Sequence, residues 1–402
     1  MRDKTIARRW LYLVLGVVSM LFAGVIYAWS ILKSPFTNTW DASQLALNFT
    51  ITMTCFCTGG FVGAKLNKRF GVLLTTLFSA ALSCAGFALA TLQNCDNLLL
   101  LYLSYGVLAG LGIGIAYIVV ISTVSAWFPD KKGFCSGCLM MGFGASSLLI
   151  GNLISAVMDQ FGWKTAYIAL GCVLGAVLAL AALILKNPDE NTVLPAPKAK
   201  KVNRAEAFER KDYSAGEIVR RPSFWMAFLY IAMLAAVGNS VISFARDLAL
   251  SVDASIGLAT TLVGVLSVCN GLGRIFTGAI FDAMGRRFTM LAANFLTIIA
   301  AGVTLLAVVL HSLPLCIVGL CLVGLSYGTC PTVAAAFVSE FYGAKHFATN
   351  LAMINFNIIC SSLAATACGS LLVSTGGYTA PFIVLICLAS GALVLNLIIR
   401  KP

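Results

Sequence analysis

Runs of about 20 or more apolar residues recur along the whole chain, each long enough to cross the ~30 Å hydrocarbon core of a bilayer as a helix. Twelve can be delimited: 10–31, 45–63, 72–92, 98–122, 134–157, 165–185, 224–244, 256–280, 289–310, 313–338, 348–373 and 378–399. Only 10% of the 402 residues are charged, against roughly a quarter in a soluble domain. Such a chain cannot cover its own surface in water. Strand-type alternation is absent, which excludes a barrel. Arg8 and Arg9 precede the first run in the manner of a signal peptide. That run is longer than an h-region, however, and no convincing cleavage site follows it. The expectation is an all-α membrane protein with twelve transmembrane helices.

The net charge of +12 would suggest nucleic acid in a soluble protein, but its distribution points elsewhere. With twelve spans and both ends on one side, the loops fall into two sets. One set, with the termini, holds 23 of the 27 Lys and Arg; the other holds Lys33, Lys164 and Arg246. The positive-inside rule then places both termini in the cytoplasm; the expectation is a multi-pass protein of the plasma (inner) membrane with no nucleic-acid partner. Of the fourteen cysteines, Cys135 and Cys138 have metal-like spacing. A zinc site would want a second pair or nearby histidines, and the two histidines fall on opposite sides of the predicted membrane. The cysteines read as small packing residues, so no metal and no cofactor is expected.

The longest polar stretch separates six spans from six, giving an N-terminal bundle at 1–186, a linker at 187–222 and a C-terminal bundle at 223–402. Within the linker, Ser214 and Glu217 have the spacing of a capping box that opens a short surface helix. Shifting the chain by 214 residues places Lys65–Gly71 on Ala279–Gly285, Trp127–Lys131 on Phe341–Lys345, Gly24 on Gly238 and Gly110 on Gly324. One offset at four loci indicates a duplicated six-helix unit with both copies in the same orientation. Two such pseudo-repeats can rock around a central cavity at the membrane midplane.

Arg274 is the single charged residue between Ile256 and Ile280. It lies eight residues before Asp282, about 12 Å inside that helix end at 1.5 Å per residue, too deep for easy snorkelling. An unpaired cation at a helix centre costs ~3 kcal/mol or more, and no Asp or Glu occurs at comparable depth in any predicted span. Cavity water, Asn270 one turn away, a bound anion or backbone carbonyls are the available compensation. A guanidinium suits a planar anion gripped by two parallel N–H donors, as a carboxylate is. The 214 shift puts Gly60 opposite Arg274, so the charge is no duplicated scaffold feature. Phenols in apolar walls, which carry a hydrogen-bonding tip, could shape the remainder of such a pocket.

The segment Gly278–Arg287 (GAIFDAMGRR) resembles the loop motif of the major facilitator superfamily. Its first-half counterpart keeps Arg69 and Gly71 but has Lys68 where the family's Asp is expected. Within the superfamily the chain is similar to the oxalate–formate antiporter family, neighbours of the monocarboxylate transporters. The residues that carry this likeness are Ile26–Ser30 (IYAWS), Gly112–Tyr117 (GIGIAY), Trp127–Gly133 (WFPDKKG), Phe143-Gly144, Asn270–Arg274 (NGLGR) and Ser339–Phe341. The resemblance implies the major facilitator fold, with Arg274 binding a substrate carboxylate. It also implies Tyr27, Trp29, Tyr117 and Tyr327 as pocket residues, beside Asn270, which the residue reading puts one turn from Arg274. Asp282, Arg286, Arg287, Arg69, Asp130 and Lys131 are the expected gating and loop-motif residues at helix ends. From the residues themselves, Asp130–Lys132 and Asp282 with Arg286 and Arg287 are either latches between the two halves or plain solvated charge.

Oxalate-exchanging members have a second basic residue in helix 11. Here 348–373 contains no Lys or Arg, and Asn350, Asn355 and Asn357 are its strongest polar groups. One positive charge suits one negative charge, so the expected cargo is a monocarboxylate such as pyruvate, lactate or formate. A dicarboxylate or an inorganic anion is the alternative. Proton-coupled relatives carry Asp four residues before the helix-8 Arg, where this chain has Asn270. A proton or a counter-anion remains a candidate coupling partner, and a monomer is the default assembly. Intramembrane hydrolysis would need paired acids, a Ser–His pair or an HExxH helix, and ATP-driven pumping a GxxxxGK[ST] loop. The sequence has none of these and predicts no enzyme. A sensor that binds anions without moving them stays open as the rival class.

Overall fold

A computed structural model of the chain describes residues 2–92, 97–128, 132–188, 194, 212–343 and 346–399. Among these, eleven helices are long and apolar enough to cross a membrane. The longest, Ala42–Leu92, is two spans in one, broken where Gly71 takes φ 78° and ψ 175°. The spans are α1 (Arg8–Phe36), α2 (42–70), α3 (72–92), α4 (Leu98–Ala126), α5 (Lys132–Phe161) and α6 (Trp163–Ile184). After the linker come α7 (Pro222–Leu250), α8 (Ile256–Phe281), α9 (Ala283–Val309), α10 (Leu313–Tyr342), α11 (Thr349–Thr375) and α12 (Thr379–Ile398). The expected twelve are present. Their ends are set by local chemistry: Asp41 and Gln44 form a reciprocal capping box ahead of α2. The box expected at Ser214 is also formed, with the Glu217 carboxylate accepting from the Ser214 N–H at 2.7 Å and its hydroxyl at 2.8 Å. Most of the linker lies outside the described residues.

The 214-residue repeat reappears as contacts. Gly285 breaks the helix between α8 and α9 at φ 75°, ψ 179°, the conformation of Gly71 one repeat earlier. Only glycine adopts such angles without strain. In α4, a Cβ on Gly114 would collide with the Phe56 carbonyl of α2; in α10, one on Gly328 would collide with the Asn270 carbonyl of α8. Both glycines and both carbonyls are 214 apart. Gly59 on Leu111 and Gly273 on Leu325 repeat the pattern. Thus α2 packs on α4 as α8 packs on α10, with the side chains removed so that backbones touch.

The helices before and after the linker meet along α5 and α8, α2 and α11, and α1 and α7. Several polar bonds across these seams lie toward the face that holds Lys33 and Lys164. Lys33 Nζ is 2.7 Å from Asp247 of α7. Ser43 meets Ser370 at 2.9 Å, and Thr50 Oγ1 lies 2.5 Å from the Ser362 carbonyl and 2.9 Å from Thr366. Thr261 donates to Asn152 at 3.3 Å. These bonds tie the two halves together on the face with fewer basic residues.

Candidate functional site

Helix α1 is not a uniform helix. Between Gly24 and Ala28 it tightens into a 3-10 segment that carries Tyr27. Gly24 sits there because the Phe143 carbonyl of α5 occupies the space a Cβ would need. Phe143 consequently lies edge-on to Tyr27, with ring centroids 5.3 Å apart. Phe143 also meets Tyr117 of α4 at 5.2 Å, and Phe56 of α2 packs on Tyr117 at 5.1 Å and on Phe143 at 6.0 Å. From the other half, Tyr327 of α10 reaches Tyr27 at 6.2 Å, nearly perpendicular. Four helices of one half and one of the other thus meet in an aromatic cluster.

Arg274 of α8 adjoins that cluster, close enough for its charge to act on Tyr117, Tyr327 and Cys330. It is 8% exposed, and its Nε and Nη1 are buried with no hydrogen-bond partner among the described residues. Asn270, one turn earlier and 1% exposed, has both Oδ1 and Nδ2 unpartnered as well. Each unsatisfied buried donor costs about 1–3 kcal/mol, and a buried cation without counter-charge costs more. Two residues one turn apart thus keep polar side-chain atoms that the described residues leave unpaired. A polar guanidinium and carboxamide beside apolar ring walls can hold a small anion: charge and hydrogen bonds at one end, a dry wall at the other.

Of the expected pocket residues, Tyr27, Tyr117 and Tyr327 come together with Arg274 beside them, and Asn270 sits one turn before Arg274 on the same helix. Trp29 does not join them. It is fully buried inside the first half, with its indole N–H on the Leu45 carbonyl at 3.1 Å and its ring on Tyr105 at 4.9 Å. Where the helix passes from 3-10 to α at Trp29, two residues turn about 200–240° around the axis, so Tyr27 and Trp29 do not share a face. Two of the three asparagines singled out in α11 are engaged elsewhere: Asn350 donates to the Tyr213 carbonyl at 2.9 Å and Asn357 to that of Ile354 at 2.6 Å.

The latch between halves is corrected for Arg286. Its partner is Glu340 at the end of α10, at 3.3 Å, with the guanidinium also over the Phe341 ring at 4.8 Å. Both belong to the same half, because the break at Gly285 brings Arg286 beside the α10 terminus. Arg287 is exposed. Arg69 is exposed and lies over its neighbour Phe70 at 5.2 Å. Asp130, Lys131 and the side chain of Asp282 lie outside the described residues.

Residues missed by sequence reasoning include Phe56 and Phe143. Phe143 lies in a motif already singled out, and Phe56 is the 214-shift counterpart of Asn270. Asn239 was also missed. It is a carboxamide in the middle of apolar α7, fully buried, and it accepts from the Tyr327 hydroxyl at 2.7 Å.

The Major Facilitator Superfamily description matches residues 11–245 and again 230–402. Among characterised relatives, the chain is 30% identical over 293 residues to the oxalate:formate antiporter of Oxalobacter formigenes, covering 71% of this chain and 66% of that one. It is 25% identical over 355 residues to human monocarboxylate transporter 12, covering 83% and 67%. Its fold matches the partially occluded, inward-open xylose transporter XylE of E. coli with a TM-score of 0.74 at 13% identity, over 98% of both chains. Helices, repeat and motif loops agree with these likenesses, and the chain belongs to the Major Facilitator Superfamily, a multi-pass membrane transporter related to the oxalate:formate antiporter and the monocarboxylate transporters.

Proposed function

We propose that this transporter carries small monocarboxylates, such as lactate, pyruvate or formate, by alternating access. The six-helix bundles 1–186 and 223–402 rock about the Arg274 site, and the linker 187–222 joins them. The observation that carries the reading is the buried Arg274 guanidinium with Nε and Nη1 unpartnered, beside an equally unpartnered Asn270. A carboxylate supplies the missing charge and acceptors in one group. One cation and an α11 without Lys or Arg favour a single negative charge over oxalate. The basic face is cytoplasmic by charge asymmetry, so the face tied by the Lys33–Asp247 pair is the outer one. Asn270 cannot carry a proton, which favours anion exchange or downhill movement over a protein-borne proton.

Counterflow in proteoliposomes tests this. Vesicles loaded with unlabelled lactate should accumulate external labelled lactate transiently, and Arg274→Ala should not. Binding without counterflow would make the protein a sensor. Uptake of oxalate or nitrate in preference to every monocarboxylate would overturn the substrate class.

A further inference from the structure

Tyr327 is the site aromatic whose hydroxyl proton has a fixed destination. Its O–H donates to Asn239 Oδ1 at 2.7 Å. Asn239 Nδ2 donates to Ser361 Oγ of α11 at 2.6 Å, and the Ser361 proton goes to the Ile358 carbonyl at 2.9 Å. A carbonyl only accepts, so the direction of the relay is set from that end. Ser361 gives its proton to Ile358 and has only lone pairs left for Asn239. The amide must then offer Nδ2 to Ser361 and Oδ1 to Tyr327. Turning the amide over would cost the relay one of its bonds. Asn239 is fully buried, Ser361 is 1% exposed and Tyr327 5%, so water does not readily replace a lost bond.

The Tyr327 oxygen therefore faces the site as an acceptor. Tyr27, its ring centroid 6.2 Å from that of Tyr327, is the neighbouring phenol in the site. We infer that Asn239 and Ser361 are specificity-setting residues, which hold Tyr327 as a hydrogen-bond acceptor and select monocarboxylates bearing a hydroxyl on carbon 2 over their 2-oxo counterparts. The inference rests on Arg274 as the carboxylate anchor. With the carboxylate on Arg274, a 2-hydroxyl donates to Tyr327. A 2-oxo group brings a second acceptor to an acceptor and gains nothing. Neither Asn239 nor Ser361 touches the cargo; both act through Tyr327 as positioning residues. A site built to bond one group discriminates against an analogue that cannot make the bond.

The test compares L-lactate and pyruvate by titration calorimetry and by counterflow on the full chain, in the wild type and in Ser361→Ala, Ser361→Thr and Tyr327→Phe. Wild type should bind L-lactate about tenfold more tightly than pyruvate, as one hydrogen bond implies. Ser361→Ala frees the amide to turn and lets Tyr327 donate, so the ratio should fall to about one or invert, with pyruvate binding retained. Ser361→Thr keeps the hydroxyl and should keep the preference; Tyr327→Phe should lose it. Equal binding of the two acids by wild type, or an unchanged ratio in Ser361→Ala, overturns the inference and leaves the Arg274 anchor standing. If wild type binds neither acid, the anchor fails and the inference with it.

Discussion

Replacing Arg274 by Gln separates the two possible roles of that side chain. Gln is long enough to fill much of the same space and carries no charge. A carboxylate gripped by two charge-assisted hydrogen bonds, at about 1.5–3 kcal/mol each, loses about 3–6 kcal/mol when the fork is removed. At 1.4 kcal/mol per tenfold, the cargo's affinity falls by roughly 10²–10⁴. The effect on the unliganded protein has the opposite sign. Nε and Nη1 are already buried without partners, so their loss removes a cost of about 1–3 kcal/mol per donor. The cargo-free thermal midpoint should hold or rise. Had a protein carboxylate held the guanidinium, its removal would instead cost about 3–5 kcal/mol by orphaning the partner. Thermal unfolding in detergent, with and without saturating lactate, reads both quantities. The expected result is an unchanged or higher midpoint without lactate and the loss of the lactate-dependent rise. A midpoint several degrees lower, with that rise intact, would refute the reasoning.

Gly328→Ala should destabilise by about 1–3 kcal/mol, because its Cβ meets the Asn270 carbonyl in a packed seam. Gly302→Ala, where a Cβ meets nothing within 4 Å, should be neutral or stabilising in the same unfolding assay. Lys33 is 4% exposed and bound to Asp247 across the α1–α7 seam. Lys33→Met should therefore open the outer face and raise thiol labelling of a Ser43→Cys probe, in a cysteine-depleted background, about fivefold or more, equivalent to about 1 kcal/mol. Unchanged labelling would show that the pair does not hold that face. Trp29→Phe should lower the thermal midpoint through the lost Leu45 bond, by about 1 kcal/mol, while leaving the lactate-to-pyruvate ratio alone.

Much of this was legible in the residues. Apolar runs fix the spans because a bilayer leaves few alternatives, and the 214 offset survives as matched glycine–carbonyl contacts because packing was duplicated with the sequence. Arg274 stood out because hydrocarbon makes any cation conspicuous. Trp29 was misassigned where a helical-wheel argument was available: residues two apart do not share a face. Arg286 could not be assigned from sequence, since its choice between Glu340 and the opposite half depends on how α10 ends. Asn239 is intelligible only with Tyr327 and Ser361 beside it, and those residues come from three different helices.

The most direct measurement is an experimental structure determined with L-lactate bound. The account predicts the carboxylate at the Arg274 guanidinium, with N–H···O distances of about 2.8 Å, inside the ring of Tyr27, Tyr117, Phe143 and Tyr327. Lactate bound elsewhere, with Arg274 paired to a protein carboxylate, would contradict it.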